Sequence, residues 1–169
     1  MPIFSLSALP GGDSDPEHRL RFEFPEEFIA SPEHSARVIG EWTRQLEEGG
    51  PFVFAVRSNV GHTLLGGCEI RLSRGGRANL SYFTLPQHRR GGVASRAVAL
   101  VCRIASSSLC VRCLEIAADI DNTGSRRVAI KNEFREIGMR DHRILYAKSL
   151  VSPNNSFESD ALKTTRASS

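Results

Sequence analysis

The sequence predicts a mixed α/β domain built around a central sheet. Two observations carry that expectation. Short apolar or alternating stretches bounded by Gly, Pro and Asn read as strands, while other stretches place apolar residues at helical spacing. The two kinds follow one another as strands, helix, strand, helix and strands, which lays helices against a sheet.

The elements follow in chain order. Residues 18–29, HRLRFEFPEEFI, begin with Leu20, Phe22 and Phe24 on one side and Arg21 and Glu23 on the other, a half-buried strand until Pro25. In the next stretch Ser31 is placed to cap a helix and Pro32 occupies its first position. Val38, Ile39, Trp42 and Leu46 form an apolar stripe read as core, and Gly49-Gly50-Pro51 ends the helix. Three strands are expected at 51–58, 63–73 and 78–86, separated by Asn59-Val60-Gly61-His62 and Arg74-Gly75-Gly76-Arg77. A helix follows with Val93, Ala97, Leu100, Val101 and Ile104 on its apolar face. LCVRCLEIAAD, 109–119, reads as a strand. Asn122 can cap a second helix with its body at 125–132, and two strands, 134–139 and 143–150, close the order. Residues 1–151 are read as one domain and 152–169 as a polar, aperiodic tail; no internal repeat is seen.

Composition narrows the function classes. A chain of 169 residues, 40% hydrophobic and 24% charged, is long enough to bury its own core. It has no apolar run of the ~20 residues needed to span a bilayer. Its first residues show no basic stretch ahead of a long apolar one, so a cytoplasmic protein without membrane contact is expected. A net charge of +3 suits an anionic ligand and is mild for a nucleic-acid binder. Cys110 and Cys113 form a C-x-x-C, but on one strand they face opposite ways and cannot share a metal or a disulfide. No second ligand pair is spaced for zinc, so the cysteines are read as buried small hydrophobes and no metal is expected.

The chemistry lies in residues 86–98, PQHRRGGVASRAV. Arg89-Arg90-Gly91-Gly92-Val93-Ala94 follows a strand and opens a helix. The first amides of a helix lack intrahelical partners and sit at the positive end of its dipole, so an anion docking there satisfies several at once. Gly91 and Gly92 bare the backbone, Ala94 keeps the next turn small, and Arg89, Arg90 and Arg96 add charge. A plain turn with solvated arginines would use the same residues. Neither the Walker pattern nor the G-x-G-x-x-G of dinucleotide folds is present.

The stretch ANLSYFTLPQHRRGGVASRAVALV, together with DIDNTGSRRVAIKNEF and RILYAKSL, resembles the GNAT superfamily of acyl-CoA-dependent N-acetyltransferases. Within it the likeness is to the ribosomal-protein N-terminal acetyltransferases of the RimJ/RimL type, over roughly residues 52–150. The resemblance implies a sheet of six or seven strands that splays at its centre, flanked by helices. It implies acetyl-CoA as co-substrate and a primary amine, on a protein N-terminus or a small molecule, as acceptor. Backbone around Phe83, Thr84 and Leu85 would bind the pantetheine arm. The loop and first turn, Arg89, Arg90, Gly91, Gly92, Val93, Ala94 and Ser95, would take the pyrophosphate. Asn122 would contact the arm near the thioester, beyond its role as a cap, and Ser125 would return a proton to the coenzyme sulfur.

Acyl transfer to an amine also needs a base and an oxyanion donor. A backbone N–H near Phe83, freed by a bulge at the splay, is the candidate donor. Where relatives read A-E-L-G-Y, this chain reads Ala78-Asn79-Leu80-Ser81-Tyr82, and Asn79 cannot accept a proton at neutral pH. Glu69, His88, a water chain or an acceptor that arrives neutral would each serve. Lys131-Asn132-Glu133-Phe134 likewise lacks the glycine of the usual K-x-G-F. The expected partners are acetyl-CoA and an amine, with no nucleic acid, in a monomer or homodimer. The competing expectation is a GNAT-fold module that binds acyl-CoA without catalysis.

Overall fold

A computed structural model of the chain describes residues 15, 16 and 31–151. The strand expected around residues 20–24 and the tail from residue 152 lie outside the described residues. From residue 31 on, the described residues form three α-helices and six strands in order: α1 (Pro32–Glu47), β1 (Phe52–Arg57), β2 (Leu64–Ser73), β3 (Arg77–Thr84), α2 (Val93–Ser108), β4 (Cys113–Asp119), α3 (Thr123–Lys131), β5 (Arg135–Arg140) and β6 (Arg143–Ser149).

The strands form one mixed sheet in the order β1-β2-β3-β4-β6-β5. Every neighbouring pair is antiparallel except β3 and β4, which run parallel, joined through α2. That parallel pair opens almost as soon as it forms. Its register covers only Arg77↔Cys113, Ala78↔Leu114 and Asn79↔Glu115. Beyond those residues β3 stays with β2 and β4 with β6, so the two strands part. The centrally splayed, helix-flanked sheet expected of the sequence is the architecture found.

Helix α2 covers β2 and β3 with Val93, Ala97, Val98, Val101, Cys102 and Ala105. Leu100, expected on that face, is half exposed, and Ile104 is only partly buried. Small residues decide the contact, because Ala97, Cys102 and Ala105 let the helix lie close to the sheet. A second correction concerns α1. Its start is as expected, with the Ser31 hydroxyl accepting from the His34 N–H at 3.1 Å. Its stripe is not core, however: Ile39 and Leu46 are each 49% exposed, while Val38 and Trp42 are partly buried.

The strand expected from Leu109 starts only at Cys113. The intervening residues turn the chain from α2 into β4, with Val111 N–H donating to Ala105 O and Arg112 N–H to Gly76 O. Cys110 therefore sits in that turn at φ 52 and is exposed, contrary to the expectation of burial. Cys68 and Cys102 are buried, Cys113 is partly so, and all four are free thiols. At the end of α3, Glu133 takes the left-handed conformation (φ 64). Lys148 holds its carboxylate at 3.0 Å.

Candidate active site

The splay between β3 and β4 opens into a cleft of about 1560 Å³. The starts of α2 and α3 both face it. Of the residues expected at the site, Glu69, Phe83, Thr84, Arg89, Arg90, Gly92, Val93, Ala94, Ser95, Asn122 and Ser125 all line it, as do Asn79 and His88. Leu85 and Gly91 do not, although both belong to the connection that leads from β3 to α2.

The start of α2 is bare. Its N-cap is Gly92 at φ 72, a left-handed conformation that glycine takes without cost, and no side chain among the described residues caps the amides that follow. A Cβ at Gly92 would come within 3.1 Å of the Arg96 guanidinium, which therefore lies over this corner. Arg90, at φ 62, also turns the loop in the left-handed region. Arg89 has a different part: its Nε–H donates to Thr84 O at 3.3 Å, and its other end pairs with the buried carboxylate of Asp15. It braces the loop against the end of β3.

The start of α3 is closed. Asn122 Oδ1 accepts from the Ser125 N–H at 3.0 Å, the cap expected of the sequence. Ser125 is half-buried, and its Oγ lies 2.8 Å from the hydroxyl of Tyr82, which also donates to Ser125 O at 3.1 Å. Burial pushes the Tyr82 phenol up to about 12, against the pull of the Ser125 hydrogen bond.

Strand parity sets what faces the splay. The register of β2 with β3 runs unbroken from Gly66↔Thr84 to Ser73↔Arg77, so the bulge expected near Phe83 is absent from this pair. Leu85 N–H donates to Leu65 O at 2.9 Å. Backbone hydrogen bonding alternates along a strand, so the Phe83 amide also turns to β2, while those of Tyr82 and Thr84 turn to the splay. The Phe83 amide, the expected oxyanion donor, thus points away from the splay. Thr84 Oγ1 is buried at the same edge and has no hydrogen-bond partner among the described residues.

Glu69 sits on β2 opposite Ser81 and is 3% exposed. One carboxylate oxygen bonds Arg71 at 2.6 Å, and the other is buried with no partner among the described residues. Burial pushes its carboxyl above the ordinary value, opposed by Arg71. Asn79 is exposed and bonds Ser73 at 3.4 Å. Its ladder neighbour is Glu115, a cleft-lining carboxylate ion-paired with Arg77. Sequence reading singled out neither Glu115, Asp15 nor Tyr82. Each reaches the site through a pairing between distant segments, for which the sequence carries no local signal.

The family model of the GNAT acetyltransferase domain matches residues 8–135. The chain belongs to the GNAT acetyltransferase family. Solved structures agree on the fold. A GNAT-family acetyltransferase from Bacillus anthracis is similar at TM-score 0.66 and 16% identity, over 85% of this chain and 87% of that one. A ribosomal-protein-S5-alanine acetyltransferase from Vibrio fischeri is similar at TM-score 0.60 and 16% identity, over 70% and 72%. Spermidine N-acetyltransferase from Vibrio cholerae, solved with CoA and spermine, is similar at TM-score 0.57 and 12% identity, over 67% and 72%. No curated protein matches the sequence. As a GNAT acetyltransferase the chain is an acyl-CoA-dependent enzyme that moves an acetyl group from acetyl-CoA to an amine. Among the described residues no His, Cys, Asp and Glu side chains are grouped to hold a metal ion, and no helix is long and apolar enough to cross a membrane.

Proposed function

We propose that this GNAT acetyltransferase binds acetyl-CoA along the open edge of β3 and acetylates a primary amine at the Ser125 end of the cleft. The acceptor is an N-terminus, as in the RimJ/RimL type, or a small-molecule amine. The observation that carries the reading is the bare start of α2 beside the splay: a helix end without a side-chain cap, facing a cleft that arginines line. A pyrophosphate fits there, because it would supply the acceptors that the amides of Val93, Ala94 and Ser95 lack. The buried, unpartnered Thr84 hydroxyl and the outward amides of Tyr82 and Thr84 offer the amide groups of the pantetheine arm an edge to pair with. The coenzyme supplies the activated acetyl group; the chain supplies its placement.

The remaining roles follow from position. The backbone amide of Tyr82, in place of Phe83, is the donor turned toward a developing oxyanion. Glu69 is the base: buried, with one oxygen uncommitted and its proton affinity raised, it is suited to take a proton from an incoming ammonium. Ser125 returns a proton to the sulfur. Four free thiols suit the reducing cytoplasm expected from the sequence.

The test is release of free thiol from acetyl-CoA against a panel of amines and N-terminal peptides. Release that depends on one class of amine supports the reading and names the acceptor. Tight acetyl-CoA binding with no amine-dependent release would instead favour a non-catalytic binding module.

A further inference from the structure

Ser125 alone is a poor proton donor. An aliphatic hydroxyl is a far weaker acid than a phenol, whose ordinary pKa is about 10. Yet a phenol of the same cleft lies against it. Tyr82 Oη lies 2.8 Å from Ser125 Oγ and 3.1 Å from Ser125 O. We propose that Tyr82 is the proton source behind Ser125, supplying through the serine hydroxyl the proton that the departing thiolate takes up. This inference rests on acetyl transfer at the Ser125 end of the cleft.

Counting protons shows why the pair can work this way. A carbonyl oxygen only accepts, so the 3.1 Å contact uses the single phenolic proton of Tyr82. In that arrangement the 2.8 Å contact is filled by the serine proton, which points at Tyr82. Swinging the phenolic proton from Ser125 O to Ser125 Oγ frees the serine hydrogen to turn outward. Both arrangements keep the contact between the two hydroxyls, and neither needs the backbone to move.

The step balances. As the thioester C–S bond breaks, the sulfur takes the Ser125 hydroxyl proton and Ser125 Oγ takes the Tyr82 phenolic proton. One proton has then left Tyr82 and reached sulfur. The proton removed from the acceptor nitrogen equals it in number and restores the phenol through solvent. The phenol stays protonated at working pH because burial raises its proton affinity. Its ring is anchored, opposite Cys68 on β2 and packed against the core, so the hydroxyl is delivered with little freedom.

The experiment compares Tyr82→Phe, Ser125→Ala and the double variant in the full chain, with acetyl-CoA and an amine the unaltered enzyme acetylates. Phenylalanine keeps the ring and its packing. Tyr82→Phe should lower kcat at least tenfold, leave KM for acetyl-CoA within about twofold, and shrink the solvent deuterium isotope effect on kcat. The double variant should be no slower than Ser125→Ala, because one path is broken twice. Unchanged kcat in Tyr82→Phe, a loss confined to KM, or an undiminished isotope effect would overturn the proposal. If Ser125→Ala itself keeps full turnover, the serine assignment fails and takes this inference with it. If Ser125→Ala is slow and Tyr82→Phe is not, only Tyr82 is overturned.

Discussion

Two helices begin at the same cleft and end their backbones in opposite ways. At α3 the chain completes itself: Asn122 fills the Ser125 amide, and Tyr82 fills the Ser125 hydroxyl and carbonyl. At α2 the N-cap is a glycine with no side chain to offer, and Arg96 lies over it. An unfilled helix end is costly to bury and easy to hydrate, so a protein keeps one where something else will fill it. The contrast suits the end proposed to receive a ligand and the end proposed to hold a reactive group still. In the proposed reading the first is an anion seat, and the second is a fixed hydroxyl.

The largest effect expected of this contrast is on the fixed hydroxyl. Ser125→Ala should lower kcat on the order of a hundredfold while coenzyme affinity stays nearly intact. Loss of affinity with kcat retained would make Ser125 part of the seat and erase the distinction between the two ends.

Glu69 sharpens the chemical side. Its carboxyl must be ionised to act as base, and burial raises the pH at which it ionises. kcat/KM should therefore rise with pH through a value above that of an ordinary glutamate. Glu69→Gln should remove this limb and lower the rate at least tenfold. Folding should respond oppositely. A raised folded pKa makes this group's contribution to stability fall as pH climbs from the unfolded value to the folded one. Glu69→Gln should thus keep or raise the thermal midpoint at neutral pH. A pH limb that survives the substitution would point to His88, which also lines the cleft.

Asn122→Ala carries the smallest effect. It opens the closed end and should cost about 1 kcal/mol of stability, or about 3 °C in thermal midpoint. The expected change in coenzyme affinity is less than tenfold. A larger loss of affinity would show that Asn122 holds the pantetheine arm more than it holds the helix.

The proposed seat was more legible in the sequence than the proposed reactive end. Gly91-Gly92 behind paired arginines, at a strand-to-helix junction, is a local signal, and so is Asn122 ahead of Ser125. Tyr82 and Ser125 lie 43 residues apart and meet only because β3 and α3 flank one splay. The direction of the Phe83 amide was equally hidden, since it depends on the register with β2, which the residues of β3 alone do not set. Leu100 misled because size suggested core, whereas close packing on the sheet selected Ala97, Val98 and Ala105. Cys110 misled because an apolar run continued through a turn. Arg89 was recognised as cationic, but its partner Asp15 is distant in sequence.

The claim that the bare start of α2 seats the coenzyme pyrophosphate is tested most directly by calorimetric titration of Gly92→Asp with CoA. The substitution places a carboxylate at the cap, where it would occupy the amides and repel the anion. CoA affinity should fall at least tenfold, about 1.4 kcal/mol, in a variant whose circular dichroism matches the unaltered protein. Unchanged affinity in such a folded variant would contradict the assignment.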